Sequence, residues 1–232
     1  MAGRVRIAVV DYGAANMVSI TKALAAVGAQ VSVALDASGF EGVDAVVVPG
    51  VGAARAAMVQ LGAQGLRAPI RDWARAGRPL LGICLGLQLL FEASDEGDAD
   101  ALGILAGRTV QLRDAPTLPH IGWNSVFVGR PHPIFDGVPN CSHFYFVHSY
   151  APAPADDSIV LGRTCHGRPF VSAVAQDSLI GLQFHPEKSS DAGLRVLSNF
   201  VRIVEAARDG APLPAGGSLA FESWSDCSPE VC

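Results

Sequence analysis

Cys84 stands between two glycines, Gly82 and Gly86, where the apolar run Leu80 to Ile83 gives way to Leu85-Gly86-Leu87-Gln88. A buried strand that turns at once into a helix around G-x-C-x-G has the form of a nucleophile elbow, with sulfur replacing the usual serine oxygen. The glycines let backbone segments pass close together, and the strained turn lifts the side chain out of the sheet. The first free N–H groups of the helix, Leu85 among them, then point at whatever the sulfur attacks. A helix N-terminus also favours the thiolate over the thiol. The plain alternative is a buried core cysteine, so the elbow reading requires a base nearby.

Gly181-Leu182-Gln183-Phe184-His185-Pro186-Glu187 supplies that base. Pro186 pushes His185 toward extended geometry, and residues two apart in an extended segment share a side. Glu187 can therefore orient the His185 imidazole while the imidazole serves Cys84, a Cys-His-carboxylate arrangement. Alone, His-x-Glu is more often a surface pair; the elbow gives it weight. His132 and His166 fall in polar, loop-like surroundings and read as solvated. His120, His143 and His148 lie near aromatic strand candidates and are either structural or site-lining. The spacings suit no metal, and no cofactor motif is present.

A third piece is Pro49-Gly50-Val51-Gly52, directly after an apolar strand. In a parallel sheet, ligands gather beyond the carboxyl ends of the strands, so this loop and the elbow are expected to be neighbours. Its glycines allow close approach or a flipped peptide plane, and its N–H groups could complete an oxyanion hole with Leu85. An ordinary tight turn is the alternative.

The elements expected to carry these residues are strands at Arg4–Val10, Val31–Leu35, Asp44–Val48 and Leu80–Ile83, alternating with helices. The helical patterns are Ile20, Leu24 and Val27 with a stop at Gly28, then Ala53–Leu61, Pro69–Arg75 and Leu85–Ala93. Continuous apolar strands alternating with helices indicate a parallel sheet covered on both faces. Short strand candidates follow at 108–112, 125–128, 144–147, 159–164, 170–175 and 180–184. A last helix spans Asp191–Ala207, with Leu194, Leu197, Val201 and Val204 in register. The fold class is α/β: a mostly parallel central sheet with helices on both faces and added antiparallel strands. Residues 1–208 read as one domain and 209–232, rich in Gly, Pro, Ser and Ala, as a mobile tail.

The chain of 232 residues is 50% hydrophobic and 17% charged, enough to bury a sizeable core. Seventeen basic against 22 acidic side chains give a net charge of −5, which argues against a broad nucleic-acid footprint or a polybasic membrane patch. No apolar run approaches the ~20 residues that cross a bilayer, and the N-terminus lacks a secretory core. A cytoplasmic location is expected, and with it five free thiols at 84, 141, 165, 227 and 232.

Together, Pro49–Gly52, Gly82–Phe91 and Gly181–Ser189 resemble the triad-type (class I) glutamine amidotransferases. Three further stretches narrow the resemblance to the glutaminase subunits of imidazole glycerol phosphate synthases. They are Asp11-Tyr12-Gly13-Ala14-Ala15-Asn16, Pro119-His120-Ile121-Gly122-Trp123-Asn124 and Tyr145-Phe146-Val147-His148-Ser149-Tyr150. The resemblance spans about residues 5 to 205; Ala15 stands where a glycine is expected.

The resemblance implies that Cys84 attacks the side-chain amide of glutamine, with His185 shuttling the proton and Glu187 orienting it. Leu85 and the Val51-Gly52 segment would hold the oxyanion. Gln88, Glu96, Ser149 and Tyr150 would grip the α-amino and carboxylate ends, with Asp95 an alternative to Glu96. The implied partner is a cyclase subunit of β/α-barrel form, forming a heterodimer. It would receive ammonia and make imidazole glycerol phosphate and an aminoimidazole carboxamide ribotide in histidine biosynthesis. Trp123, Tyr145 and Lys188 match partner-facing positions. Two rivals are a glutaminase serving anthranilate, guanylate or carbamoyl phosphate synthesis, and a silent binding subunit of the same fold.

Overall fold

The computed structural model describes residues 3–211. Four strands open the chain: β1 (Arg6–Val10), β2 (Gln30–Ala34), β3 (Ala45–Val48) and β4 (Leu80–Ile83). Between and after them run helices α1 (Met17–Ala26), α2 (Ala54–Ala63), α3 (Arg67–Arg75) and the one-turn α4 (Leu85–Gln88). Short strands follow: β5 (Ala93–Ser94), β6 (Ala99–Asp100), β7 (Gly107–Gln111), β8 (His120–Ser125) and β9 (Phe127–Val128). Then come β10 (His143–His148), β11 (Tyr150–Pro154), β12 (Val160–His166), β13 (Arg168–Gln176) and β14 (Leu179–Leu182), before helix α5 (Ser190–Arg208).

The main sheet has eight strands in the order β2-β1-β3-β4-β14-β13-β12-β9. The first five are mutually parallel, and the last three continue antiparallel. The expected class is therefore the observed one. Side chains alternate across the sheet, so β1 sends Ile7 and Val9 to one face and Ala8 and Val10 to the other. The first face is covered by Ile20 and Leu24 of α1 and Phe200 and Val204 of α5. The second is covered by Leu61 of α2 and Ile70 and Trp73 of α3. Each fully buried Val or Leu contributes about 1.5–3 kcal/mol by removal from water.

Local signals explain the ends of α1. The Asn16 side chain accepts the Ser19 N–H at 3.3 Å, and Gly28 takes φ +97° just past the helix. In α5 the buried stripe runs through Val196, Leu197, Phe200, Val201 and Val204, while Leu194, expected in register, is 38% exposed.

Three expectations are corrected. The helix expected to run to Ala93 stops after one turn. The carbonyls that would continue it, those of Leu89, Leu90 and Phe91, instead accept N–H groups from residues 102–105. The strand expected at 125–128 is two strands in different sheets. β8 pairs with β10 in a separate two-stranded ribbon, and β9 joins the edge of the main sheet. Cys141 and Cys165 are each disulfide-bonded, leaving Cys84 as the free cysteine among the described residues. Spacing along the chain gave no sign that these two are oxidised. Cys227, Cys232 and the segment beyond 211 that was read as a mobile tail lie outside the described residues.

Candidate active site

Cys84 sits at the carboxyl end of β4 with φ +53° and ψ −111°, a left-handed backbone that a side-chain-bearing residue rarely adopts. Such strain persists only where the surroundings impose it. Here the Cys84 N–H donates to the Leu182 carbonyl of β14 at 2.7 Å, tying the turn to the sheet. The turn also brings Gly86 so close to β3 that a Cβ there would run into the Val48 carbonyl oxygen. The flanking glycines are thus a clearance requirement, as the sequence suggested.

His185 and Glu187 follow β14, on and just before a turn of 3₁₀ helix that begins at Pro186. Their side chains meet as expected: the His185 Nδ1 and a Glu187 carboxylate oxygen lie 2.8 Å apart, with both side chains almost completely buried. The Cys84 sulfur neighbours the other edge of the ring, but His185 Nε2 has no aligned hydrogen bond. Long or unaligned contacts of this kind are common before substrate binds. Burial pushes the imidazole pKa down, but the sulfur and the Glu187 carboxylate outweigh it and hold the value up at about 10. The ring therefore favours its protonated form beside the sulfur.

Because α4 is a single turn, its dipole adds little; the expected help from a long helix is not available. The sulfur has two other polar neighbours. It can donate as a thiol to the Val147 carbonyl at 3.8 Å, and it accepts from the Gln183 side-chain N–H at 3.7 Å. Tyr12, after β1, donates to the Pro49 carbonyl at 2.9 Å. Burial and the nearby Cys84 raise its pKa, keeping the phenol neutral.

The glycine loop lies where expected, but of the proposed oxyanion donors Val51, Gly52 and Leu85, two are occupied. The Leu85 N–H donates to the Gly50 carbonyl at 3.3 Å, and the Val51 N–H donates to the Ala14 carbonyl at 2.7 Å. One peptide unit, Gly50–Val51, is therefore held at both its oxygen and its nitrogen.

A cavity of about 550 Å³ opens over the sulfur. Val51, Gly52, Cys84, Leu85, Gln88, Glu96, Ser149, Tyr150 and Lys188 all line it. Glu96 accepts the Ala54 N–H at the start of α2 at 2.8 Å, while Asp95 is paired with Arg108 at 2.6 Å and does not line the cavity. Sequence reasoning left Pro119, Val147 and His148 unassigned as wall residues, though His148 was open as site-lining. A second cavity, of about 320 Å³ around Arg78 and Asp177, lies at the opposite ends of β4 and β14, away from the sulfur. Among the described residues, no three His, Cys, Asp or Glu side chains form a metal-holding group.

Trp123 and Tyr145 are opposite each other in the β8–β10 ribbon, rings 6.2 Å apart edge to face, and Lys188 Nζ sits 5.7 Å from the Tyr145 ring. Trp123 is 51% and Ile121 60% exposed, so the ribbon presents an apolar face to solvent. The ribbon also holds the base: the His185 N–H donates to the Tyr145 carbonyl at 2.9 Å. Two histidines read as solvated are half-buried. His166 ends β12 and stacks on His120 at 4.2 Å, and burial lowers His132 to about 4.

The family model for class-I glutamine amidotransferases matches residues 8–204. An imidazole glycerol phosphate synthase subunit HisH from Symbiobacterium thermophilum is 48% identical over 200 residues, covering 86% of this chain and 94% of the relative. One from Moorella thermoacetica is 46% identical over 202 residues, covering 87% and 96%. The chain is a class-I glutamine amidotransferase of the HisH family. Among solved structures, this amidotransferase is similar to PurLQS from Thermotoga maritima (TM-score 0.68, 19% identity, 85% of this chain and 98% of that one). It also resembles a glutamine amidotransferase from the same organism (TM-score 0.59, 17% identity, 91% and 87% covered). Those two likenesses speak to the fold of this HisH-type chain alone. No helix of the described residues is long and apolar enough to cross a membrane.

Proposed function

We propose that this chain is the glutaminase subunit of an imidazole glycerol phosphate synthase. It hydrolyses glutamine and delivers the ammonia to a cyclase subunit of β/α-barrel form. The observation that carries the reading is the buried His185–Glu187 pair beside a Cys84 sulfur that opens onto a cavity.

In this reading, glutamine enters with its α-ammonium on Glu96 and its carboxylate end toward Ser149 and Tyr150. Glu96 is preferred to Asp95 because it faces the cavity and Asp95 is spent on Arg108. The Gln88 amide N–H groups are already donated to the Tyr150 carbonyl and to Gln183, so Gln88 offers substrate only its carbonyl oxygen. The Cys84 thiolate attacks the side-chain amide carbon, forming the C–S bond and an oxyanion. The imidazolium of His185 gives its proton to the departing nitrogen, the C–N bond breaks, and ammonia leaves a glutamyl thioester. His185, now neutral, takes a proton from water. The hydroxide attacks the thioester, and glutamate departs as the thiolate returns. Glu187 holds the ring orientation throughout.

The oxyanion needs the Gly50–Val51 peptide to rotate. Rotation withdraws the Gly50 carbonyl from Leu85 N–H and turns Val51 N–H from Ala14 toward the substrate. Ammonia released into neutral water becomes ammonium and loses its nucleophilicity, so a donor that stays idle until sealed against its acceptor wastes least. The exposed ribbon of Trp123 and Tyr145, next to the cavity-lining Lys188, is the surface proposed for that seal. The test is Cys84→Ala in complex with the cyclase. Glutamine-dependent synthesis is expected to vanish while synthesis from added ammonia persists; loss of both overturns the catalytic role.

A further inference from the structure

We propose that Gln183 is a positioning residue for the nucleophile, its side-chain N–H holding the Cys84 sulfur and favouring the thiolate. The inference rests on the reading of Cys84 as nucleophile and adds a residue to it. Gln183 is completely buried, two positions before His185 on the strand-like segment that carries the base. Its Nε2 lies 3.7 Å from the sulfur, within the longer range of hydrogen bonds to sulfur.

The direction of that bond is fixed by what stands behind it. The Gln88 side-chain nitrogen lies 2.8 Å from the Tyr150 carbonyl and 3.1 Å from Gln183 Oε1. A carbonyl only accepts, so Gln88 presents its NH₂ group there, and Gln183 must turn its oxygen to Gln88 and its NH₂ to the sulfur. The Tyr150 carbonyl is itself fixed by His148 Nδ1 at 2.9 Å. With that proton on Nδ1, His148 Nε2 accepts from His120 Nδ1 at 3.1 Å, and His120 Nε2 accepts from Asn124 Nδ2 at 3.2 Å. Asn124 gives its second N–H to the Cys165 carbonyl at 2.7 Å. Every member has one consistent orientation. The chain ends on the sulfur with a donor that cannot flip without breaking its other bonds.

Around Cys84 this donor has one opponent. The Val147 carbonyl can accept only from the thiol, whereas Gln183 can only donate, so its bond strengthens as the sulfur gains charge. The ionisable groups facing the sulfur and its cavity are Tyr12, His148, His185, Glu187, Glu96, Tyr150 and Lys188. Tyr12 and His148 are neutral near neutral pH, and none of the seven occupies the Gln183 position.

The experiment follows alkylation of Cys84 by iodoacetamide against pH in the full chain, read on the Cys84 peptide by mass spectrometry. Gln183→Leu should raise the titration midpoint by about one pH unit and, at pH values below it, slow labelling about tenfold. Gln183→Glu, of nearly the same shape, puts a carboxylate against the sulfur and should raise the midpoint further; it reads alone if the leucine variant fails to fold. Ammonia-dependent synthesis with the cyclase should persist in both. If alkylation abolishes glutamine hydrolysis but the midpoints match the unaltered chain, the Gln183 proposal is overturned and the nucleophile stands. If hydrolysis survives complete Cys84 alkylation, the nucleophile reading falls instead.

Discussion

The Leu85 N–H donates to the Gly50 carbonyl at 3.3 Å, so the amide directly after Cys84 in the chain is already engaged by the glycine loop. The same peptide unit has its nitrogen held by Ala14. Removing one oxyanion donor from a hydrolytic site typically costs about 10²–10³ in rate. The isolated chain should therefore hydrolyse glutamine about 10²–10³-fold more slowly than the chain saturated with its cyclase. Steady-state glutaminase assays with and without the partner check this; equal rates would show that the loop does not restrain the site.

Among the described residues, Glu187 is the hydrogen-bonding partner of His185 Nδ1, and it is buried. Glu187→Gln keeps the shape but loses the charge that supports the imidazolium. A fall in kcat of about 10²–10⁴ is expected, with KM for glutamine little changed, as read from initial rates of the complex.

Glu96 and Asp95 are separable by charge alone. Glu96→Gln keeps an acceptor for the Ala54 N–H but removes the counter-charge for a substrate ammonium. KM should rise roughly 10–100-fold, the range of a charge-assisted hydrogen bond. Asp95→Asn loosens a half-exposed pair with Arg108, and KM should hardly move. The opposite ranking would reassign the ammonium site.

Burial holds His148 near about 3 and His120 near about 4, so both are neutral in the fold, while an unfolded chain takes up these protons near pH 6.5. The unfolded state binds more protons below that value. The contribution of these two rings is therefore full above about pH 6.5 and is lost on acidification, down to about pH 4 for His120 and about pH 3 for His148, each costing about 1.4 kcal/mol per pH unit. Urea unfolding of the chain at successive pH values between neutrality and pH 5 should show the loss, and His148→Gln should make the fall shallower. A flat profile would contradict the burial argument.

Trp123→Ala removes the large exposed ring of the β8–β10 ribbon. A central aromatic of an interface is commonly worth about 2 kcal/mol or more, so cyclase affinity should drop at least about 30-fold. The thermal midpoint of the isolated chain should be nearly unchanged. Titration calorimetry and a melting curve separate the two effects.

Much of this was legible from residue types. Apolar runs such as Ala45–Val48 lie buried on both faces of a parallel sheet and leave a plain trace. The elbow and the His-x-Glu pair were legible because each is local: Gly86 clears Val48, and Pro186 sets the His185 backbone. What stayed hidden depends on distant partners. The stretch after Gln88 looks helical in composition, but its carbonyls are taken by residues 102–105. β8 was missed because its polar His120 and Asn124 break the apolar strand pattern, and His148 and the Cys165 carbonyl that satisfy them are distant in the chain. His166 looked solvated for the same reason, its ring being stacked on His120. The reach of Gln183 to sulfur could be suspected from its i/i+2 relation to His185, but its direction needed Gln88.

The bond from His185 N–H to the Tyr145 carbonyl has a consequence for anyone wishing to re-aim this nitrogen source at a foreign acceptor. The ribbon proposed as the docking surface also holds the backbone of His185, the proposed proton shuttle. Altering strand pairing or twist there would detune the chemistry along with the docking preference. Swaps confined to outward-pointing side chains, Ile121 and Trp123 above all, are the changes that could exchange one customer for another without disturbing the engine.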